Sequence, residues 1–431
     1  MKILVISSTP WDENNSFGNT YSNLFAEMDG LTFANVYCKA GVLRNPFPMR
    51  GFQITEKSLL LNLLGKGSSG KEVGKTNGAE QSAPGNGENA LLHFAQKKRW
   101  QLFLWARAFI WRIGRWNSPQ LQAFIEDFQP YLIFQPIYHA AYLNRVAYSI
   151  DCATGVPVIG YVSDDVFSLR QWSLSPFFWL DRIAARRHIY KTIQKCRLLY
   201  VVSDIQKNEY ERAFGVPCKI LTKSADFSGE PPVKPVYNTP LQLVYTGNIG
   251  TNRWKSLAMI AKALKTVNRD GVRAQMRIYT ATPLTHKMRE ALDIDGSSFL
   301  MGAVPASEIP RIQSDEDMLV HVEAFDRKNR LLVRQSFSTK LVDYFKAARP
   351  ILAVGPRGIA SIEHLAANDC ALVAQSVEEI CRALESVVES PDKLNTLSEK
   401  AYACGRAHHD KAVMQQMLQA DLNRVVKEGR S

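Results

Sequence analysis

Residues 229–240 carry four prolines, Pro231, Pro232, Pro235 and Pro240. Proline fixes its own backbone torsion and has no N–H to donate, so this stretch reads as an extended linker. It divides 431 residues, too many for one compact core, into two halves of ordinary domain size. Both halves alternate apolar runs with helical patterns. Before the linker, residues 3–6, 33–37, 131–134, 156–162 and 198–202 read as strands. After it, residues 241–245, 274–279, 318–322 and 351–354 do so, with helices over 256–267 and 341–348. The alternation predicts an α/β protein with two Rossmann-like domains, 1–228 and 241–405. They should face each other across a cleft at the carboxyl ends of both sheets. Val413, Met417, Ala420 and Val425 recur at helical spacing, so residues 406–431 are expected to form a C-terminal helix that packs back on the first domain.

Within the first domain, residues 65–90 are rich in Gly, Ser, Asn and charge and nearly free of large apolar side chains. Such a segment buries too little to offset its ordering entropy and is expected to be a disordered loop. The formal charge of the chain, +12, calls for an anionic partner. Lys97, Lys98, Arg99, Arg107, Arg112 and Arg115 concentrate that charge in a predicted helix over 91–116. Leu102, Trp105, Phe109, Ile113 and Trp116 form the side expected to face the domain. Trp100, Arg107, Trp111 and Arg115 lie roughly opposite, a mixture suited to an anionic membrane surface. No nucleic-acid motif accompanies these cations, and nucleic acid is not an expected partner. The seven cysteines are scattered without a Cys-x-x-Cys pair, which fits a reducing cytosol and no metal or disulfide framework. Residues 1–6 read as a first strand rather than a signal, and no apolar run is long enough to span a bilayer. The expected location is cytoplasmic, peripherally associated with the inner face of the plasma membrane.

Two regions carry the chemistry. In the first, Leu341, Tyr344, Phe345 and Ala348 form the apolar stripe of a helix that Ser338 or Thr339 would cap. Its free N–H groups would hold a phosphate; Lys340 and Asp343 share one helix side, the cation for a phosphate and the carboxylate for a ribose diol. In the second, a strand ends in Thr246-Gly247-Asn248-Ile249-Gly250, and the cations Arg253 and Lys255 follow. Glycines let backbone amides approach an anion, and the cations would offset charge on a departing diphosphate. In the first domain, Asp164 and Asp165 follow a strand end, where they could bind hydroxyls or accept an acceptor's proton. Gly18 and Asn19 lie in the loop after the first strand and would face the acceptor. The triplets Asp293-Ile294-Asp295 and Asp315-Glu316-Asp317 lie in polar connections, and no metal role is assigned to them. His408-His409 reads as a solvated face.

These residues resemble family 4 glycosyltransferases of the GT-B fold, of the bacterial surface-polysaccharide type. The Tyr245-Thr246-Gly247-Asn248 turn with Lys255 resembles their first C-domain strand and basic loop. Ser338-Thr339-Lys340-Leu341-Val342-Asp343-Tyr344, with Arg349-Pro350-Ile351-Leu352-Ala353, resembles their sugar-nucleotide helix and the following strand. Tyr200-Val201-Val202-Ser203 and Phe214-Gly215-Val216-Pro217 resemble the end of their N-domain. The resemblance implies retaining transfer from a nucleotide diphosphate sugar to a lipid-linked or polysaccharide acceptor, with no cofactor and no required metal. Catalysis would fall to Arg253, Lys255, Lys340, Asp164 and Asp165, and donor binding to Thr246, Gly247, Asn248, Glu323, Ser338, Thr339 and Asp343. The family's pair of glutamates falls on Gln335 and Asp343, and Glu323 is a candidate to replace the missing carboxylate. Asn248 stands where an arginine often follows the glycine, with Arg253 a candidate for its work. A sugar-nucleotide epimerase or a non-catalytic partner protein with the same fold are the alternatives.

Overall fold

The computed structural model describes residues 1–47, 49–74 and 101–430, with the backbone alone for 101–105 and 430. The first domain contains, in chain order, β1 (Lys2–Ser7), α1 (Ser16–Phe25), β2 (Thr32–Tyr37), β3 (Met49–Ile54), α2 (Glu56–Leu63), β4 (Gly70–Val73) and α3 (Gln101–Ile113). It continues with α4 (Pro119–Phe128), β5 (Leu132–Pro136), α5 (Ala141–Thr154), β6 (Val158–Tyr161), α6 (Pro176–Ile193), β7 (Cys196–Val201), α7 (Asp204–Phe214) and β8 (Cys218–Ile220). Its sheet runs β4-β3-β2-β1-β5-β6-β7-β8, parallel except for β4.

The second domain contains β9 (Leu241–Thr246), α8 (Arg253–Val267), β10 (Ala274–Tyr279), α9 (His286–Leu292), β11 (Ser298–Gly302), α10 (Ile309–Asp315), β12 (Met318–Val322) and α11 (Arg327–Val333). It continues with α12 (Lys340–Ala347), β13 (Ile351–Val354), α13 (Ala360–Ala367), β14 (Leu372–Ala374), α14 (Val377–Val388) and α15 (Asp392–His409), and the chain ends in α16 (Lys411–Arg430). The second sheet is parallel, in the order β11-β10-β9-β12-β13-β14.

The central strands read as unbroken apolar runs because helices cover both faces of each sheet. Every residue of β9 and β12 is buried. Helices begin and end where local chemistry satisfies their free backbone groups. Ser203 caps α7 by accepting from Gln206 N–H, and Gly215 ends it in the left-handed conformation. The two domains are tied by α16, whose Leu418, Leu422 and Val425 join the core of the first sheet. Its buried Asp421 accepts from Lys219 Nζ at 2.6 Å and Tyr200 Oη at 2.9 Å. The linker is anchored at Asp317, a buried carboxylate that accepts from Lys234 Nζ at 2.6 Å and Gln242 N–H at 2.8 Å.

Two expectations are corrected. The segment 65–90 is not loop throughout, since Gly70–Val73 pairs antiparallel with β3. A Cβ on Gly70 would collide with the Phe52 ring, so the strand closes on the sheet only with glycine there. Residues 75–90 of that segment lie outside the described residues.

The second correction concerns the side of α3 assigned to a membrane. Trp111 is fully buried, stacked on Tyr142 at 4.7 Å, and its indole N–H donates to Glu56 Oε1 at 2.9 Å. Arg107 donates to the same carboxylate at 2.5 Å and lies 4.7 Å over the Tyr142 ring. Glu56 on α2 and Tyr142 on α5 thus give this side the partners that draw it inward. Phe109 and Ile113, expected inside, are 59% and 45% exposed. Arg115 is exposed, and Trp100 lies outside the described residues.

Candidate active site

A cavity of about 720 Å³ opens between the domains at the carboxyl ends of both sheets. Its charged lining consists of the cations Lys39, Lys223, Arg253 and Lys340 and the carboxylates Asp164 and Glu323. Cations therefore exceed carboxylates by two there (four minus two).

On the second domain, β9 delivers the chain to Gly247, whose φ of 139° suits glycine. A Cβ at Gly247 would sit 2.7 Å from Lys340 Nζ, so the bare backbone also makes room for that cation. Thr251 and Asn252 then turn through left-handed conformations into α8, which starts at Arg253. The Arg253 guanidinium grips Glu323, at the end of β12, with Nε to Oε2 at 3.1 Å and Nη2 to Oε1 at 3.1 Å. Ser256 Oγ donates to the Glu323 carbonyl at 2.7 Å and fixes that strand end.

Lys340 is the first residue of α12. Its Nζ donates to the Thr246 carbonyl at 3.1 Å and lies 4.5 Å over the Tyr245 ring. Burial first, and then the neighbouring Arg253, push its ammonium down to about 8, against the pull of Glu323. Burial raises the Glu323 carboxyl, and Arg253 and Lys340 oppose that rise. Buried His321 is driven down to about 3, chiefly by burial and then by the same two cations, so it stays neutral. Ser338 and Thr339 line the cavity, but neither hydroxyl caps α12. Thr339 is already helical and Leu341 N–H donates to the Ser338 carbonyl at 3.0 Å.

On the first domain, Asp164 faces this cluster from the loop after β6. Its Oδ1 accepts from Ser336 Oγ at 3.0 Å, a contact across the cleft. Asp165 turns inward instead: it pairs with Arg182 at 3.1 Å, both side chains being buried, and accepts from Ser168 N–H at 2.8 Å. Asp165 is thus a loop anchor and not a cleft residue. Gly18 and Asn19 also stay outside the lining, which their neighbours Asn15, Ser16, Phe17, Thr20 and Tyr21 supply. Gly18 packs so closely against Asp12 that a Cβ would collide with its carbonyl. The hydroxyl of buried Tyr21 has no partner among the described residues, and Tyr138 and Tyr161 line the cavity beside it.

Three other candidates lie away from the cavity wall. Lys255 is exposed, 5.8 Å from the Trp254 ring. Asp343 accepts from Lys223 Nζ at 2.6 Å, bridging the domains. Gln335 turns to the first domain, where its Nε2 donates to Glu209 Oε2 at 2.6 Å, next to the Arg334–Glu209 pair. A second cavity, about 360 Å³, has Thr246 in its wall, the residue whose carbonyl accepts from Lys340 of the first. Thr246, Gly247 and Asn248 line it with Tyr279, Thr280, Thr282, Pro283, Val304 and Ile309. Sequence reasoning missed its far wall, because the turn after β10 carries no charge or motif. Among the described residues no group of three or more His, Cys, Asp or Glu could hold a metal ion.

The sequence matches no family model, and no curated protein is significantly similar to it. Solved structures are similar over nearly the whole chain. Anabaena HepE in complex with UDP superposes with a TM-score of 0.61 at 11% identity, covering 98% of this chain and 100% of that one. Sucrose-phosphate synthase from Thermosynechococcus elongatus gives 0.60 at 9%, covering 99% and 100%. An α,α-trehalose-phosphate synthase (UDP-forming) from Burkholderia xenovorans gives 0.57 at 10%, covering 98% and 100%. Identities this low speak to architecture alone, and with the two facing parallel-sheet domains they give this chain the GT-B fold.

Proposed function

We propose that the protein is a glycosyltransferase of the family 4 type, moving a hexose from a nucleotide diphosphate sugar to a lipid-linked or polysaccharide acceptor. The reading places it in cell-surface polysaccharide synthesis at the cytoplasmic face of the plasma membrane. The observation that carries it is the Arg253–Glu323–Lys340 cluster, with its excess of cations, facing Asp164 across one cleft. UDP in the HepE structure supports the choice of ligand class.

In this reading the diphosphate lies against Arg253, Lys340 and the N-terminus of α12. The base enters the cavity lined by Tyr279, Pro283 and Val304, and the acceptor occupies the side of Tyr21, Tyr138 and Asp164. As the bond from the sugar to the diphosphate breaks, negative charge grows on the leaving oxygen. Glu323 and the Thr246 carbonyl already hold Arg253 and Lys340 in the cleft, so little rearrangement is needed when the charge appears. The acceptor oxygen bonds to the sugar carbon on the same face that the diphosphate leaves, which retains the configuration, and its proton passes to Asp164. No metal is required, because the fixed cations supply the balancing charge.

The test is release of nucleoside diphosphate from a panel of nucleotide sugars, with and without extracted membrane lipids. Release that needs one donor and a lipid or polysaccharide fraction is expected. No release with any donor, from protein whose melting point responds to nucleotide sugars, would refute transfer while leaving binding intact.

A further inference from the structure

Helix α6 is apolar on two opposite sides. Ala185, Ile189 and Ile193 are buried against the first domain. Leu180 and Ile183 are 56% and 52% exposed, and Tyr190, 46% exposed, sits at the border with its ring 5.7 Å from that of buried Phe214. At about 100° per residue Leu180 falls opposite Ile189, and Ile183 about 120° from it. A helix apolar all round is ordinarily covered all round. The loop leading into α6 adds Leu169, Trp172 and Leu174, which are 48%, 38% and 84% exposed. Single exposed apolar side chains need no explanation, but a contiguous group marks a surface that meets something.

Charge selects the occupant. Arg187 and Lys191 lie on the exposed side of α6, and neither is ion-paired among the described residues. His188 is within electrostatic reach of Lys191 and Arg145, and Arg145 of Arg112. Arg145 of α5 donates to the Trp111 carbonyl at 2.8 Å, which joins α5 to α3, where Arg112, Phe109 and Ile113 are also exposed. The carboxylate within α6, Asp181, is engaged by His139 Nε2 at 3.2 Å. Apolar side chains interleaved with unpaired cations match the boundary between headgroups and acyl chains of an anionic leaflet. The loop begins at Ser163 and Asp164, which line the cleft, so this surface would hold the cleft mouth near the lipid.

We propose that α6 and the loop before it form a docking surface for an anionic lipid bilayer. The inference rests on the membrane location in the proposed function but not on sugar transfer, because vesicle binding needs no donor. The experiment is co-sedimentation of the full chain with vesicles of phosphatidylcholine alone or mixed with phosphatidylglycerol. Binding to the mixed vesicles is expected, weakened by salt. The variant Leu174→Ser/Leu180→Ser/Ile183→Ser should lower partitioning by about tenfold or more with an unchanged melting point. Arg187→Gln/Lys191→Gln, at sites too exposed to affect folding, should lower binding to the mixed vesicles roughly tenfold and leave binding to phosphatidylcholine unchanged. The proposal falls if the protein does not bind mixed vesicles, or if both variants bind them like the parent. It also falls if sedimentation velocity shows a parent dimer that the triple variant turns into monomer, since a second copy would then cover the surface.

Discussion

Replacing Lys340 by methionine should make the protein more stable and less active at once. The side chain keeps its length and loses its charge. In the folded protein the ammonium is pushed down to about 8, from the ordinary lysine value of 10.5. Between those values the unfolded chain binds more protons, so stability rises with pH from about 8 to 10.5. Below pH 8 the native state carries the whole cost of keeping Lys340 charged, about 3 kcal/mol at 1.36 kcal/mol per pH unit. Methionine removes that cost but forfeits the bond to the Thr246 carbonyl, worth about 1 kcal/mol net. A gain of about 2 kcal/mol at pH 7, several degrees in melting temperature, is the expected balance. Turnover should fall by about a hundredfold to a thousandfold, because a fixed charge facing the leaving group is gone. In the parent, kcat/KM should decline above about pH 8 as Lys340 deprotonates, and that decline should vanish in the variant. Thermal melts from pH 6 to 11 and a pH–rate profile, once the donor is known, read both effects. A destabilised variant would refute the burial argument. Full activity, or an unchanged alkaline limb, would refute the role.

Arg253→Met should leave the buried Glu323 unpaired and cost about 3 kcal/mol or more, with Glu323→Gln restoring much of it in the double variant. Chemical denaturation measures both, and additive single effects would contradict the pairing. Trp111→Ala should destabilise by about 3–5 kcal/mol through the lost ring packing on Tyr142 and the lost indole bond to Glu56, which Arg107 still holds. A melting point like the parent's would return this residue to the surface.

The central parallel strands, such as β1, β5, β9 and β12, are legible because they are buried and written almost wholly in apolar residues. The parallel strands β3, β8, β11 and β14 are short or only partly buried and escape the sequence reading. The edge strand β4 is not legible either, because its Lys71 and Glu72 are exposed and its neighbours are glycine and serine. For a different reason Arg107, Trp111, Phe109 and Ile113 of α3 lie the other way round from the expectation, while Arg115 is exposed and Trp116 packs on the core as expected. The helix is apolar on both sides, and the choice between them rests on Glu56 and Tyr142, which are distant in sequence. The Asp164–Asp165 pair shows the same limit at one residue's resolution. Successive side chains leave a turn in different directions, and only Arg182, on α6, marks Asp165 as the buried one. Lys340, Arg253 and Glu323 were each named from strand and helix ends, where backbone geometry directs residues to the cleft. Their arrangement was not visible, since 70 residues separate the Arg253–Glu323 pair. Gln335 packs on Glu209, a contact between domains that one sequence does not disclose.

The proposed sugar transfer in the cleft between the domains rests on its binding a nucleotide diphosphate sugar through Arg253 and Lys340. The most direct measurement is the melting temperature of the parent and of Arg253→Met/Lys340→Met against a panel of nucleoside diphosphates and nucleotide sugars. A ligand at about a hundred times its dissociation constant adds about 2.7 kcal/mol to the folded state, which is several degrees. That rise is expected for at least one nucleotide in the parent, and its loss in the double variant. A parent that responds to none of them, or a double variant that responds equally, would contradict the assignment.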